Sequence, residues 1–260
     1  MNDLELIREA AVAAGQVALD LRARGLQTEW KPGNTPVTNG DLAVDALLKE
    51  RLLAARPDYG WLSEETVDDP ARLSKDRLFI VDPIDGTHAY VKGKPWFTVC
   101  VAVVENGQPV AGVVYAPDLG ETYEARTGSG ARLNGQPIHA GGCSELQGCA
   151  MLGDAKLFAH SSWPTPWPTM RIESRNSVAY RMALVAAGAF DACFAPSGKH
   201  EWDLAAADLI CREAGAVVTD HKGRSYTYNR PVPRQPALIC ANTALHRLLL
   251  ERVAHIDLPD

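Results

Sequence analysis

The sequence predicts an α+β fold in two parts: helices and an antiparallel sheet over residues 1–147, then an α/β half over 148–260. Three observations predict it. Apolar residues recur at helical spacing through residues 4–53, strand-like runs joined by Asn-Gly turns fill the middle, and short strands alternate with helical segments from about Gly148 onward. A chain of 260 residues, 46% hydrophobic and 22% charged, can bury a substantial core as one large unit or two fused subdomains.

Leu4, Ile7, Ala11, Ala14, Val17, Ala18 and Leu21 define a long amphipathic helix that Gly25 stops. The polar stretch 27–39 contains Lys31-Pro-Gly-Asn-Thr-Pro36 and reads as a mobile loop without regular structure. A second helix starts at Thr38 or Asn39 with Asp41 in its first turn. It uses Leu42, Ala46, Leu48, Leu52 and Leu53 as apolar positions and ends before Pro57. Residues 77–81 form a short buried strand, after which Asp82 leaves the sheet and Pro83 blocks further pairing. Runs 97–104 and 110–115 make a hairpin around Asn106-Gly107, run 121–126 adds a strand, and Asn134-Gly135 marks another tight turn. In the second half, 177–187, 204–213 and 243–254 read as helices, and 190–194, 216–219 and 237–241 as strands. Trp163-Pro-Thr-Pro-Trp-Pro168 reads as a surface loop over or near the site, or as a plain connection.

A net charge of −6 with scattered basic residues argues against a nucleic-acid partner. The longest apolar run, near residues 99–104, is far too short to cross a bilayer, and the first residues lack the pattern of a signal peptide. No membrane association and a cytoplasmic location are therefore expected. Six cysteines without a Cys-x-x-Cys pair suggest reduced structural thiols rather than a zinc site or a disulfide framework.

Chemistry concentrates in Ile80-Val-Asp-Pro-Ile-Asp-Gly-Thr87, which sets two carboxylates three residues apart before a Gly-Thr turn. Alone, Asp-x-x-Asp also fits an ordinary turn. Gly86 permits close backbone approach, and the amides of Gly86 and Thr87 can bind phosphate if a helix begins there. Two further carboxylate segments accompany it: Ser63-Glu-Glu-Thr66, and Glu201-Trp-Asp-Leu-Ala-Ala206 at a helix start. If these acids converge, like charges about 4 Å apart repel by roughly 4 kcal/mol at an effective dielectric near 20. Cations must offset that, or the acids take up protons. An oxygen-only donor set favours Mg²⁺ or Mn²⁺ over zinc.

In Leu62-Ser-Glu-Glu65, Asp82-Pro-Ile-Asp-Gly-Thr87 and Trp202-Asp-Leu-Ala-Ala206, the chain resembles the inositol monophosphatase-like, Mg²⁺-dependent, lithium-sensitive phosphatases, from about Leu4 to the last helix. The resemblance implies a layered αβαβα sandwich with the metal site where the two halves meet. It implies that Glu64, Asp82 and the Ile84 carbonyl hold one Mg²⁺, that Asp82, Asp85 and Asp203 hold a second, and that a looser third lies near Glu64. By the same resemblance, Thr87 and Asp41 orient a water for direct in-line attack, Glu65 supports them, and no phosphoenzyme forms. Thr87 also fits a helix cap and Asp41 an ordinary first-turn acid. Family members are often homodimers, although no apolar stripe here marks an interface.

The resemblance implies a small phosphate ester as substrate. Inositol-specific members carry an acidic residue before the third motif, where this chain has Ala195 or Pro196. His88-Ala-Tyr90 and Ser177-Val-Ala-Tyr-Arg181 are closer in wording to the bacterial CysQ-type bisphosphate nucleotidases. Ser177, Arg181, Lys199 and His200 are thus candidate substrate contacts, with adenosine 3′,5′-bisphosphate preferred over inositol 1-phosphate and histidinol phosphate. Arg181 also fits a helix ion pair and Lys199 a solvated side chain. A non-catalytic phosphate- or metal-binding homologue would show gaps in the acid set, and here every acid is present.

Overall fold

The computed structural model describes residues 1–31 and 35–257. Helix α1 (Asp3–Arg24) leads through strands β1 (Thr28–Lys31) and β2 (Thr35–Thr38) into α2 (Asn39–Ala55) and β3 (Gly60–Ser63). A 3-10 turn (Pro70–Ser74) precedes β4 (Arg77–Asp85), α3 (Thr87–Val91), β5 (Thr98–Glu105), β6 (Gln108–Ala116), β7 (Glu121–Arg126), β8 (Ala131–Leu133) and β9 (Gln136–Ile138). Then come β10 (Ala150–Leu152), α4 (Ala155–Phe158), β11 (Arg171–Glu173), α5 (Val178–Ala186), β12 (Ala192–Ala195) and β13 (Lys199–His200). The chain continues with α6 (Glu201–Glu213), β14 (Ala216–Thr219), β15 (Arg234–Gln235), β16 (Leu238–Asn242) and α7 (Thr243–Val253).

Strands β3 to β9 form one sheet in sequence order, parallel only between β3 and β4. A second sheet has the order β11-β10-β12-β16-β14 and is mixed. Side-chain alternation dictates how these sheets stack. On β4, Phe79 and Val81 join the core beneath α1 and α2, whereas Leu78 and Ile80 face the core containing α5 and α6. On β12 and β16, Cys193 and Cys240 face α5 and α6, whereas Phe194 and Ile239 face α7. The result is a layered αβαβα sandwich with α5 and α6 as its central layer. Asn106 and Gly107, at φ 51° and 74°, close the β5–β6 hairpin as the Asn-Gly signal requires. All six cysteines are free, and five are buried.

Four expectations are corrected. Residues 28–31 and 35–38 are not an irregular loop but an antiparallel hairpin. Pro36 stands opposite Trp30 in a two-stranded ribbon, where a missing N–H disrupts no interior ladder. Residues 32–34 of that expected loop lie outside the described residues. Leu42 is exposed, because α2 turns Asp41, Val44, Asp45, Leu48 and Leu52 inward instead. Strand β4 does not end at Asp82 but resumes at Asp85 after a bulge. Trp163 and Trp167 pack edge to face with each other and belong to the α7 core, on the side of the second sheet away from α5 and α6. They therefore do not cover the carboxylates.

Helix α6 lies very close to β6. A Cβ on Gly112 would stand 2.7 Å from the Ala206 carbonyl oxygen and 3.1 Å from its Cα. Both obstacles are backbone, so a larger residue must push α6 away. Gly112→Ala is expected to lower the unfolding free energy by about 1–3 kcal/mol in urea titrations; an unchanged midpoint would show that the helix shifts freely.

Candidate metal centre

A regular strand would point Asp82 and Asp85, three residues apart, to opposite faces. Asp82 pairs with Cys100 and Asp85 with Thr98, so β4 spends one residue more than β5 over this interval. That bulge turns both carboxylates to one place. Asp203, from the first turn of α6, joins them, and one oxygen of each acid lies within 4.8 Å of the others. The Asp82 and Asp85 side chains are buried.

Backbone amides hold all three. Asp85 Oδ2 accepts from Ser177 Oγ at 2.6 Å and Ala179 N at 2.6 Å, and Oδ1 accepts from Val178 N at 3.1 Å. The carboxylate thus caps the N-terminus of α5, where unpaired amides and the helix dipole favour an anion. Asp203 Oδ2 accepts from His200 N at 2.8 Å in the capping of α6. Asp82 Oδ1 accepts from Ile84 N at 3.1 Å. Gly86, at φ 94°, turns the chain from β4 into α3, and a Cβ there would meet Ser177 N at 3.0 Å. Only glycine fits.

At the end of β3, Lys31 Nζ lies 2.7 Å from Glu65 Oε1 and 3.4 Å from Glu64 Oε1. Glu64 stands beside the triad rather than in it, yet its charge is the largest charge effect felt by Asp82. Asp41 Oδ2 accepts from Thr38 N and Thr38 Oγ1, while Thr87 Oγ1 lies 3.2 Å from both Asp41 Oδ1 and the Ile84 carbonyl oxygen. Helix α3 does begin at Thr87, as anion binding by that turn requires.

Burial dominates the protonation of this cluster. It pushes Glu64 up to about 8, with Lys31 opposing and Glu65, Asp203 and Asp41 adding to the rise. Asp203 is raised to about 7 by burial and Asp85, against the His200 amide. Asp41 is raised to about 6 by burial, against its bonds to Thr38. Asp82 goes well above the ordinary range by burial and then by Glu64 and Asp85; Asp85 rises through burial despite its three hydrogen bonds. Hard oxygen donors that would otherwise hold protons are suited to a divalent cation.

Of the candidate substrate residues, Ser177 is corrected. It is fully buried, bonded to Asp85, Thr98 and the Tyr180 amide, and so supports Asp85 from beneath. Arg181 Nε reaches only the Ser177 carbonyl at 3.3 Å, and among the described residues no carboxylate pairs with its guanidinium. Lys199 Nζ bonds Ser197 Oγ at 2.8 Å, and burial lowers its pKa. His200 is exposed and stacks on Trp202, with ring centroids 4.4 Å apart. Two residues escaped sequence reasoning. Asp45 accepts bonds from Ser63 Oγ and Thr66 Oγ1, bracing the turn that carries Glu64 and Glu65. Thr98 bonds Ser177 beneath Asp85. The one available signal for Asp45 was its place one helical turn after Asp41.

A family model described as the inositol monophosphatase family matches residues 2–257. A histidinol-phosphatase from Chlorobaculum parvum is 31% identical over 264 residues, covering 97% of each chain. The 3′(2′),5′-bisphosphate nucleotidase CysQ of Aggregatibacter actinomycetemcomitans is 31% identical over 239 residues, covering 87% of each. Among solved structures, the Thermotoga maritima IMPase superposes with a TM-score of 0.85 at 30% identity, covering 97% of each chain. No helix among the described residues is long and apolar enough to cross a membrane.

The raised carboxylates have a thermodynamic consequence. Folded Glu64, Asp203 and Asp41 keep protons that the unfolded chain releases near about pH 4. The stability of the metal-free protein therefore falls as pH rises from about 4 towards about 8. Thermal melts without metal are expected to show a lower midpoint at about pH 8 than at about pH 5, and added Mg²⁺ should raise the midpoint most at the higher pH. Equal midpoints across this window, with no effect of Mg²⁺, would contradict the assignment.

Proposed function

The chain belongs to the inositol monophosphatase family, a family of phosphoric monoester hydrolases, and on that basis we propose a Mg²⁺-dependent phosphatase whose substrate is a small ester bearing a second phosphate, adenosine 3′,5′-bisphosphate above all. The observation that carries the catalytic part is the approach of Asp82, Asp85 and Asp203 to within 4.8 Å, beside Glu64 and the Thr87–Asp41 pair. Asp82, Asp85 and Asp203 would hold one cation, and Glu64, Asp82 and the Ile84 carbonyl another. When bound, such cations neutralise charge on the phosphoryl group and acidify water.

The chain's own groups do the rest. Thr87 Oγ1, which donates its one proton to Asp41 Oδ1 or to the Ile84 carbonyl oxygen, is left with a lone pair to accept a hydrogen bond from the attacking water. Asp41, raised to about 6, is poised to take up a proton near neutral pH. The first amides of α3 lack partners within the helix and suit a phosphate oxygen. Glu65, bonded to Lys31, keeps the β1–β2 hairpin against this side of the site. Inhibition by Li⁺ is expected on the same reading.

Substrate preference rests on charge. Lys199 and Arg181 both influence Asp203 and neither is paired with a carboxylate among the described residues. Two such cations favour a second phosphate and oppose the ammonium group of histidinol phosphate. A neutral inositol ring would want an acidic acceptor, and Ala195 and Pro196 provide none.

Asp82→Asn is expected to abolish turnover with the fold retained, and Thr87→Ala to lower kcat about 10²- to 10⁴-fold. On a panel of adenosine 3′,5′-bisphosphate, inositol 1-phosphate and histidinol phosphate with Mg²⁺, the bisphosphate should be turned over best. Lys199→Met should raise its KM about tenfold, corresponding to about 1.4 kcal/mol. Dominant turnover of either other ester would overturn the preference, and full activity in Asp82→Asn would overturn the catalytic reading itself.

A further inference from the structure

Outside the carboxylate cluster, a second buried polar network joins the segment between β3 and β4 to the start of α6. Arg72, in the 3-10 turn, has a side chain only 1% exposed. Its Nε and Nη2 bond Asp68 at 2.6 and 2.9 Å, Nη1 bonds Asn229 Oδ1 at 2.6 Å, and Nη2 also bonds the Arg230 carbonyl at 3.0 Å. From the other side, fully buried Glu201 accepts from Asn229 N at 2.7 Å and Arg230 N at 3.1 Å. The turn at 229–230 is thus gripped by its side chain and carbonyl from one direction and by its amides from the other. Asn229 holds φ 61°, a conformation that such a grip can sustain.

The two ends of this network lie in the elements that carry the metal-site acids. Arg72 packs directly on β3, its Cβ 3.1 Å from where a Cβ on Gly60 would lie, and β3 ends one residue before Glu64. Glu201 is the first residue of α6, two before Asp203. We propose that Arg72, Asn229 and Glu201 are positioning residues that set the α6 N-terminus, and with it Asp203, against the β3–β4 edge bearing Glu64, Asp82 and Asp85. This rests on the metal-centre reading above. Asp82 and Asp85 on β4 and Asp203 on α6 reach a common point only if α6 is fixed along its axis. Its start is otherwise tied to the neighbouring loop by the Glu201 N–H bond to the Pro233 carbonyl at 3.0 Å and by the short β13–β15 pairing.

Glu201→Gln keeps the shape but presents an NH₂ group to one of two amide donors, and Arg72→Met keeps the stem but releases the 229–230 turn. Mn²⁺ binding is followed by the EPR signal of the free ion, together with thermal melts. Leu249→Ala, in the α7 core, serves as a control that loses stability far from the acids. Both network variants are expected to weaken Mn²⁺ binding by about 10- to 100-fold, whereas Leu249→Ala lowers the melting midpoint and leaves binding unchanged. Wild-type affinity in both network variants overturns the brace alone. Absence of Mn²⁺ binding by the wild-type protein overturns the metal centre and the brace with it.

Discussion

Mutual repulsion among Asp82, Asp85 and Asp203, crowded within 4.8 Å and largely out of water, is the constraint to which the surrounding structure answers. Such a cluster is tolerated only where positive charge or protons are supplied. The chain supplies part of that charge itself. The α5 N-terminus points its amides at Asp85, the capping of α6 satisfies one oxygen of Asp203, and the Lys31 ammonium stands by Glu64 and Glu65. These contacts leave the acids still raised, and such oxygen donors are suited to hold a cation.

The layered fold makes this arrangement affordable in packing terms. Helices α5 and α6 form the middle layer, shared by both sheets, and their N-termini meet the bulged end of β4. Close contacts enforce the meeting: Gly86 against Ser177 on one side, and Gly112 against Ala206 on the other. Neither point has room for a methyl group, so helix position and carboxylate position are one property of the packing. Asp45 and Thr98 add local support beneath the acids, and the Arg72–Glu201 network acts at longer range.

Much of the fold was legible in the sequence, because its signals were local. The Asn106-Gly107 turn, the helical spacing of α1 with Gly25 at its end, and the run that forms β7 all rest on neighbouring residues. The errors share a different cause. Leu42 is apolar yet exposed because the buried face of α2 is chosen by Asp41 and Asp45 facing the site, which periodicity of apolar residues cannot reveal. The β1–β2 hairpin carries Pro36 and reads as a loop in the sequence, since an isolated ribbon tolerates a residue that an interior strand does not. The bulge in β4 is hidden for a related reason: Pro83 signals a break, but only pairing with β5 shows that the strand resumes. Within the site, the motifs name Asp82, Asp85 and Asp203, which the fold brings within 4.8 Å, whereas the burial of Ser177 under Asp85 is a tertiary fact that no local pattern carries.

A site built from oxygen donors on two separate elements, β4 and α6, has one physical signature, which is simultaneous ligation. The most direct measurement is anomalous diffraction from crystals soaked in Mn²⁺. The account predicts a peak in contact with Asp82, Asp85 and Asp203 together; side chains of these residues in unchanged positions with no anomalous density among them would contradict it.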